Sequence, residues 1–201
     1  MNANRGLSFW SLMRADLNRY GSGMSMPALL RRYLSTPGFK YSFWMRLTNH
    51  VRNKSVIWRP AYYLCRLILN RQSLKYGISI PYNTQIGPGL YIGHYGGIVL
   101  NDMAVVGCDC NINHGVTIGV KYGGKNPGVP VIGDRAFLGP GCVVIGGITL
   151  GNDVAVGANA VVLESVPDSG VVAGVPASLV SVRGSAEYVV NTHTRRPART
   201  P

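Results

Sequence analysis

The sequence predicts a mainly β fold, in which a parallel β-helix over residues 76–180 follows a basic α-helical region over residues 1–75 and precedes a flexible tail over residues 181–201. Three observations support this. Aliphatic residues recur at every sixth position between Ile86 and Val162, and glycine is frequent among them. The first 75 residues instead show helical spacing and no alternation of period two.

The six-residue repeat is clearest in its last run. Six aliphatic residues stand exactly six positions apart and glycine follows four of them, the run being Ile132, Leu138, Val144, Leu150, Val156 and Val162. Two shorter runs come first, Ile86–Ile98 and Val106–Ile118. Each unit supplies one short strand and one corner, so three units make a triangular coil of about 18 residues whose aliphatic side chains stack inward.

An insertion interrupts the repeat between Gly119 and Val131. Residues 120–130 do not fit a tight coil, and we expect them to project as a loop. Such loops on solenoids usually serve binding, although a tolerated surface insertion is the alternative.

Three helices are predicted in the N-terminal region. Pro27–Leu34 begins with a proline suited to a first helical turn. Apolar residues at helical spacing run from Phe43 to Val51, and a further helix is expected after Pro60.

Charge is concentrated in this helical region. Residues 1–75 hold 13 of the 20 Lys and Arg residues and one acid, Asp16, together with all three tryptophans. Basic residues interleaved with aromatic ones suit contact with an anionic membrane surface, here the inner face of the cell membrane. A basic helical cap on the solenoid is the alternative. No motif favours nucleic acid, and Arg59 and Arg66 interrupt the apolar stretch Val56–Leu69, which is too short to span a bilayer.

The cysteines favour a reducing compartment. Cys65, Cys108, Cys110 and Cys142 contain no pair with CxxC spacing, and no signal peptide is recognisable. We therefore expect reduced thiols in a cytoplasmic protein and no metal site.

The repeats, the loop and the closing segment Val172–Ala177 resemble the serine acetyltransferase-like branch of the left-handed β-helix acyltransferases, over roughly residues 76–182. The resemblance implies the left-handed sense of the coil, acetyl-CoA as donor, and a homotrimer with active sites between adjacent solenoids. In that branch a histidine within an Asp-His-Ala-Thr-Gly segment is the general base. His94 of Gly93–Gly97 takes that position, and Asp102 matches an acid that follows it. Asp102 is expected either to hold a histidine ring by accepting its N–H or to be a solvated turn residue.

Two departures from that branch concern the acceptor. Ser79 stands where the family has an aspartate, and the loop reads Pro127–Pro130 where the family has a second histidine for the substrate carboxylate. Instead, His114 lies in a segment similar to enzymes that acetylate capsule, exopolysaccharide and colanic acid sugars, and to antibiotic acetyltransferases. It follows His94 by 20 residues, close to one coil of 18 plus the two-residue offset between the runs, so we expect the two histidines on neighbouring coils near one face.

These residues favour transfer of an acetyl group to a sugar hydroxyl in surface polysaccharide assembly, with a carbohydrate acceptor that can be lipid-linked. Serine O-acetylation for cysteine synthesis and antibiotic O-acetylation are the alternatives. A metal-binding solenoid of the carbonic anhydrase type needs three histidines, whereas the solenoid offers two.

The remaining candidates follow the same resemblance. Tyr95, Asn113 and Ser79 are predicted to contact the acceptor. The donor groove is predicted to use four small residues and three basic ones, namely Gly119, Gly139, Cys142, Ala158, Lys121, Lys125 and Arg183. For the small residues corner geometry is an equally good explanation, and each basic residue can simply be a solvated charge.

Overall fold

The computed structural model describes residues 7–21 and 25–194. Within them, four α-helices and a 3₁₀ turn precede the strands: α1 Phe9–Asn18, α2 Met26–Ser35, α3 Pro37–Arg52, the turn Val56–Trp58 and α4 Arg59–Tyr76. The predicted helices at Pro27–Leu34, at Phe43–Val51 and after Pro60 correspond to α2, α3 and α4. None of the described helices is both long and apolar enough to cross a bilayer.

Short strands follow without interruption by helices. They are β1 Ile78–Ser79, β2 Gln85–Ile86, β3 Tyr91–Ile92, β4 Ile98–Leu100, β5 Val105–Val106, β6 Asn111–Ile112, β7 Thr117–Gly119, β8 Val131–Ile132, β9 Phe137–Leu138, β10 Val143–Ile145, β11 Thr149–Leu150, β12 Ala155–Val156, β13 Val161–Val162, β14 Val171–Gly174 and β15 Ala177–Ser181.

The strands form the three faces of a triangular prism. The first face contains β1, β4, β7, β10 and β13, the second β2, β5, β8 and β11, and the third β3, β6, β9, β12, β14 and β15. Pairing is parallel except between β14 and β15. Val161 pairs with Val143 and Thr149 with Val131, so a regular coil advances 18 residues. The predicted parallel β-helix is confirmed.

The repeat residues form one continuous core. Every aliphatic residue of the three runs is at most 2% exposed, from Ile86 at one end to Val162 at the other. Burial of each such side chain contributes about 1.5–3 kcal/mol to the free energy of folding. Each coil depends on its neighbours for this stabilisation, because a single coil would leave its inward side chains exposed. The six-residue period therefore marks the inward positions, as predicted.

The corners use more than glycine. At the edge between the second and third faces, Gly89, Asp109, Arg135 and Asp153 occupy equivalent positions, all with φ between 56° and 82°. L side chains adopt this left-handed region only when their surroundings hold them there. For Asp109 and Arg135 those surroundings include buried hydrogen bonds, from the Arg19 guanidinium to the Asp109 carbonyl and from the Ser185 hydroxyl to the Arg135 carbonyl.

The N-terminal helices are joined to the solenoid through buried ions. Asp16 of α1 forms an ion pair with Arg46 of α3, with Nε and Oδ2 2.7 Å apart. Its Oδ1 also accepts hydrogen bonds from the backbone amides of Gly89 and Leu90. The helices thus pack directly on the first coil.

Residues 182–194 correct the prediction of a flexible tail from residue 181. This segment lies along the third face, where the Tyr188 ring stacks on Phe137 at 4.6 Å between centroids. Ser185 and Val189 are buried, and Asn111 Nδ2 donates to the Tyr188 carbonyl. Because the outward residues of this face include an aromatic ring and an amide, the segment gains both stacking and hydrogen bonds. Residues 195–201 lie outside the described part of the chain.

Candidate active site

Two histidines lie together at one edge of the prism, between the third and first faces. His94 is in the turn between β3 and β4, and His114 is in the turn between β6 and β7. Because Ile92 pairs with Ile112, the two histidines occupy equivalent positions on neighbouring coils. Their ring centroids are 6.0 Å apart and their planes meet at 80°. The predicted proximity of the two rings is confirmed, and we call this edge the histidine corner.

Glycines allow the coils to approach closely beneath this corner. Gly77, Gly97, Gly115 and Gly141 stack along it, each with φ between 60° and 71°. A Cβ atom added to Gly115 would come within 3.1 Å of the Cα of Gly141. A larger residue would have to shift backbone here, so these glycines fix the spacing of the two histidine turns.

Both imidazoles face solvent. His94 and His114 are exposed, and within the described residues neither ring makes a hydrogen bond to another protein group. Their ring nitrogens are therefore open to an incoming substrate. A neutral imidazole in this setting can accept a proton from a hydroxyl group.

Tyr95, Asn113 and Ser79 surround this corner in different ways. Tyr95 is exposed, and its ring packs edge-on against Tyr76 at the end of α4, 5.4 Å away. Asn113 Nδ2 donates to the Leu138 carbonyl of the next coil at 2.8 Å, which leaves its Oδ1 and its second N–H for a ligand. Ser79 is exposed on the first face, beside Val99 of the next coil.

Asp102 is not next to the histidines of its own chain. It lies in the turn after β4, at the edge between the first and second faces, whereas His94 lies in the turn before β4. At about 3.3 Å per residue, the three residues of β4 already separate the two turns by about 10 Å. The idea that Asp102 holds a histidine ring within one chain is therefore wrong, because the six-residue repeat places the two on different edges.

The predicted loop, residues 120–130, lies at the same edge as Asp102. Lys121 and Gly128 pair across it, and Lys121 Nζ donates to the Lys125 carbonyl at 2.6 Å. Lys125 forms an exposed ion pair with Glu164, and this contact lowers the pKa of the Glu164 carboxyl. The loop therefore folds along its edge toward the later coils, and part of its positive charge is already engaged.

The residues predicted to bind acetyl-CoA fall into two groups, exposed residues and glycines within the coils. Ala158 is exposed on the histidine corner, two coils beyond His114, and Arg183 is exposed just after β15. At Gly139 a Cβ atom would come within 2.6 Å of the Val156 carbonyl, so coil packing alone requires this glycine. Gly119, at the end of β7, leaves room for ordinary contact with Ile145.

Cys142 does not line a groove. Its side chain is 0% exposed within the solenoid core, and burial raises the pKa of its thiol to about 12. Its side chain therefore cannot contact the donor, because it occupies the small inward position of its six-residue unit.

A cavity beside β1 contains residues that the sequence analysis did not select. It has a volume of 240 Å³, and its polar lining comes from Ser79, Tyr82 and, on α4, Arg66, Asn70 and Ser73. The three α4 residues follow helical spacing, which is the signal that would have identified them as one polar stripe. Arg66 brings a positive charge close to the Ser79 position.

Known proteins share both the repeat and the fold. Residues 130–164 match the family model described as bacterial transferase hexapeptide (six repeats). The chain is 37% identical over 125 residues to a serine acetyltransferase of Helicobacter pylori, covering 61% of this chain and 72% of that protein. It is 40% identical over 124 residues to the Mycobacterium tuberculosis serine acetyltransferase, covering 61% of this chain but only 53% of that protein.

A solved structure extends the similarity into the helices. A serine acetyltransferase in complex with CoA superimposes with a TM-score of 0.69 at 26% identity, covering 89% of this chain and 72% of that one. These relatives identify the coil as the left-handed β-helix. This chain belongs to the serine acetyltransferase family of hexapeptide-repeat transferases.

Proposed function

We propose that this chain is a serine O-acetyltransferase that takes its acetyl group from acetyl-CoA. The observation that carries the proposal is the pair of exposed, edge-on histidines on neighbouring coils of a solenoid 37% identical to a serine acetyltransferase. The relatives favour serine, one of the alternatives that the sequence leaves open, over the sugar acceptor that its departures from the family predict. They give no support to a role in polysaccharide synthesis.

His94 is proposed as the general base. Its neutral imidazole accepts the proton of the acceptor hydroxyl as the oxygen attacks the thioester carbon of acetyl-CoA. The carbon–sulfur bond then breaks, and the imidazolium returns the proton to the departing CoA thiolate. Direct transfer of this kind needs no covalent enzyme intermediate, and base catalysis supplies about 10²–10⁴-fold in rate. His114, 6.0 Å away, is proposed to position the acceptor.

The acceptor carboxylate requires a cation that the loop lacks at Pro127–Pro130. We propose that Arg66 supplies it from the cavity that also contains Ser79. A guanidinium group can bind a carboxylate through two parallel hydrogen bonds. The departure in the loop then reflects a relocated carboxylate partner, and the acceptor itself is unchanged.

A homotrimer is proposed from the family resemblance. The histidine corner and the edge that carries Asp102 and the loop bound the first face on its two sides. If adjacent solenoids met along these edges, Asp102 of one copy would approach the histidines of another. Ala158, Lys121 and Arg183 would then be available to acetyl-CoA in the groove between copies.

One assay tests the function. Release of thiol from acetyl-CoA should be followed with L-serine, with chloramphenicol and with a nucleotide sugar as acceptors. We expect turnover with L-serine that disappears in His94→Ala. Turnover confined to the nucleotide sugar would overturn the serine assignment, and turnover confined to chloramphenicol would do the same.

A further inference from the structure

The connection between α3 and α4 exposes three consecutive apolar side chains. Val56 is 67% exposed, Ile57 82% and Trp58 50%, and together they form the 3₁₀ turn that we call the apolar tip. Single exposed apolar residues are common on protein surfaces. A contiguous group that includes a tryptophan is typical of a binding surface.

Basic residues surround the apolar tip. Arg52, Lys54 and Arg59 line a cavity of 410 Å³ at its base, together with the aromatic rings of Tyr62 and Tyr63. All three basic side chains are exposed. The sequence contains no acidic residue between Asp16 and Asp102, so no carboxylate from this stretch neutralises them. The cavity therefore suits a phosphate group.

The outer side of α4 continues this surface. Cys65 and Leu69 are buried on the inner side of the helix, whereas Tyr63, Leu67 and Leu74 are 63%, 53% and 79% exposed on the outer side. Exposed Arg71 and Lys75 border this outer stripe. An apolar stripe edged by cations is the pattern of a helix that lies in the boundary between lipid headgroups and acyl chains.

We propose that the apolar tip and the outer side of α4 form a docking surface for an anionic phospholipid bilayer. Headgroup phosphates would occupy the cavity formed by Arg52, Lys54 and Arg59. Val56, Ile57 and Trp58 would enter the acyl boundary below them. Charge complementarity favours this occupant, because the surface carries cations on each side of its apolar residues. An anionic bilayer presents negatively charged headgroups to those cations and acyl chains to the apolar residues. This inference is independent of the acceptor that the enzyme uses.

Flotation of the full chain with vesicles tests the proposal. Phosphatidylcholine vesicles containing phosphatidylglycerol should bind the protein at low salt and bind it less at high salt, since screening weakens the ionic part. Pure phosphatidylcholine vesicles should bind little. Absence of binding to the anionic vesicles at low salt would overturn the proposal, and so would equal binding to both kinds.

A matched pair of substitutions locates the surface. Val56 and Val182 are 67% and 68% exposed, so each can become aspartate without entering the core. Val56→Asp should lower the partition coefficient about tenfold, the effect of withdrawing one apolar side chain from lipid. Val182→Asp, outside the surface, should leave it unchanged. Equal loss in both variants would overturn the assignment, as would a change in oligomeric state in Val56→Asp without any vesicle binding by the parent chain.

Tryptophan fluorescence supplies a second measurement. Trp58 and Trp10 are similarly exposed, at 50% and 55%, but only Trp58 belongs to the tip. Anionic vesicles should shift the emission to the blue in the parent chain and in Trp10→Phe, and not in Trp58→Phe. A shift that survives in Trp58→Phe would place the lipid contact elsewhere and overturn the proposal.

Discussion

The histidine corner and the buried ionic junction between Asp16 and Arg46 are both polar, but they differ in their hydrogen bonding. The charged side chains of the junction have protein partners, whereas the two imidazoles have none among the described residues. In the junction, Asp16 is 0% exposed, pairs with Arg46 and accepts bonds from two backbone amides. Desolvation by burial raises the pKa of Asp16, and the adjacent guanidinium group opposes that effect. At the histidine corner the rings have no such partners among the described residues. A buried charge whose hydrogen bonds are all made within the protein holds elements together, whereas an exposed base without such partners can exchange protons with a substrate.

The largest effect is expected at His94, on the rate of acetyl transfer. His94→Ala removes the proposed base but leaves the core intact, since the ring is exposed. We expect the rate constant for acetyl transfer to fall by about 10²–10⁴-fold and the melting temperature to stay the same. Steady-state kinetics with L-serine, beside a thermal unfolding curve, measures both. A large loss of stability with unchanged kcat would mean that this corner is structural too.

Arg46 should show the opposite behaviour. Arg46→Met leaves Asp16 buried without its cation, which typically costs about 3–5 kcal/mol of folding free energy. Urea denaturation measures this loss, and the folded fraction should retain its kcat because Arg46 lies away from the histidine corner. Lys125→Met, which breaks the exposed pair with Glu164, should leave the denaturation midpoint unchanged. Equal effects from the two variants would remove the distinction between buried and exposed ion pairs in this protein.

Arg66 tests whether the acceptor site extends from the histidine corner to the cavity beside β1. Loss of a hydrogen bond to a charged group costs about 1.5–3 kcal/mol, so Arg66→Ala should raise KM for L-serine at least about tenfold with little change in kcat. The KM for acetyl-CoA should not move. Arg71→Ala, an exposed arginine on the same helix, serves as the control. An unchanged KM for serine in Arg66→Ala would show that the carboxylate binds elsewhere.

The sequence predicts the histidine corner but not the junction between Asp16 and Arg46. Period-six spacing identifies the inward residues, and the 20 positions between His94 and His114 place them on neighbouring coils. Asp102 is predicted beside the histidines only because it matches an acid of the resembling family, whereas the six-residue repeat places it on a different edge. The contact between Asp16 and Arg46 joins residues 30 positions apart through a fold that no local pattern describes.

The tail and Cys142 fail for a related reason. Residues 182–194 carry no repeat, and their order comes from contacts such as Tyr188 on Phe137 that depend on the finished third face. Small residues suit a donor groove, which predicts a place for Cys142 there, but small residues also fill the inward positions of tight coils. In both cases a tertiary contact decides between two uses of the same residue type.

The smallest effect is expected for the four cysteines, whose thiols should react slowly in the native protein for the same reason that the junction is inert, namely burial. Burial raises the pKa of Cys110 and Cys142 to about 12 and that of Cys108 to about 11, and it raises the pKa of Cys65 as well. A thiol with a pKa of 12 is ionised to only about one part in ten thousand at pH 8, and the thiolate is the reactive form. An aromatic disulfide reagent should therefore modify the native protein very slowly at pH 8, faster as the pH approaches 11, and should count four thiols after unfolding in guanidinium. Rapid modification of one thiol in the native protein would show that its site opens to solvent, and Cys142→Ser would then tell whether the core beside the histidine corner is the part that opens.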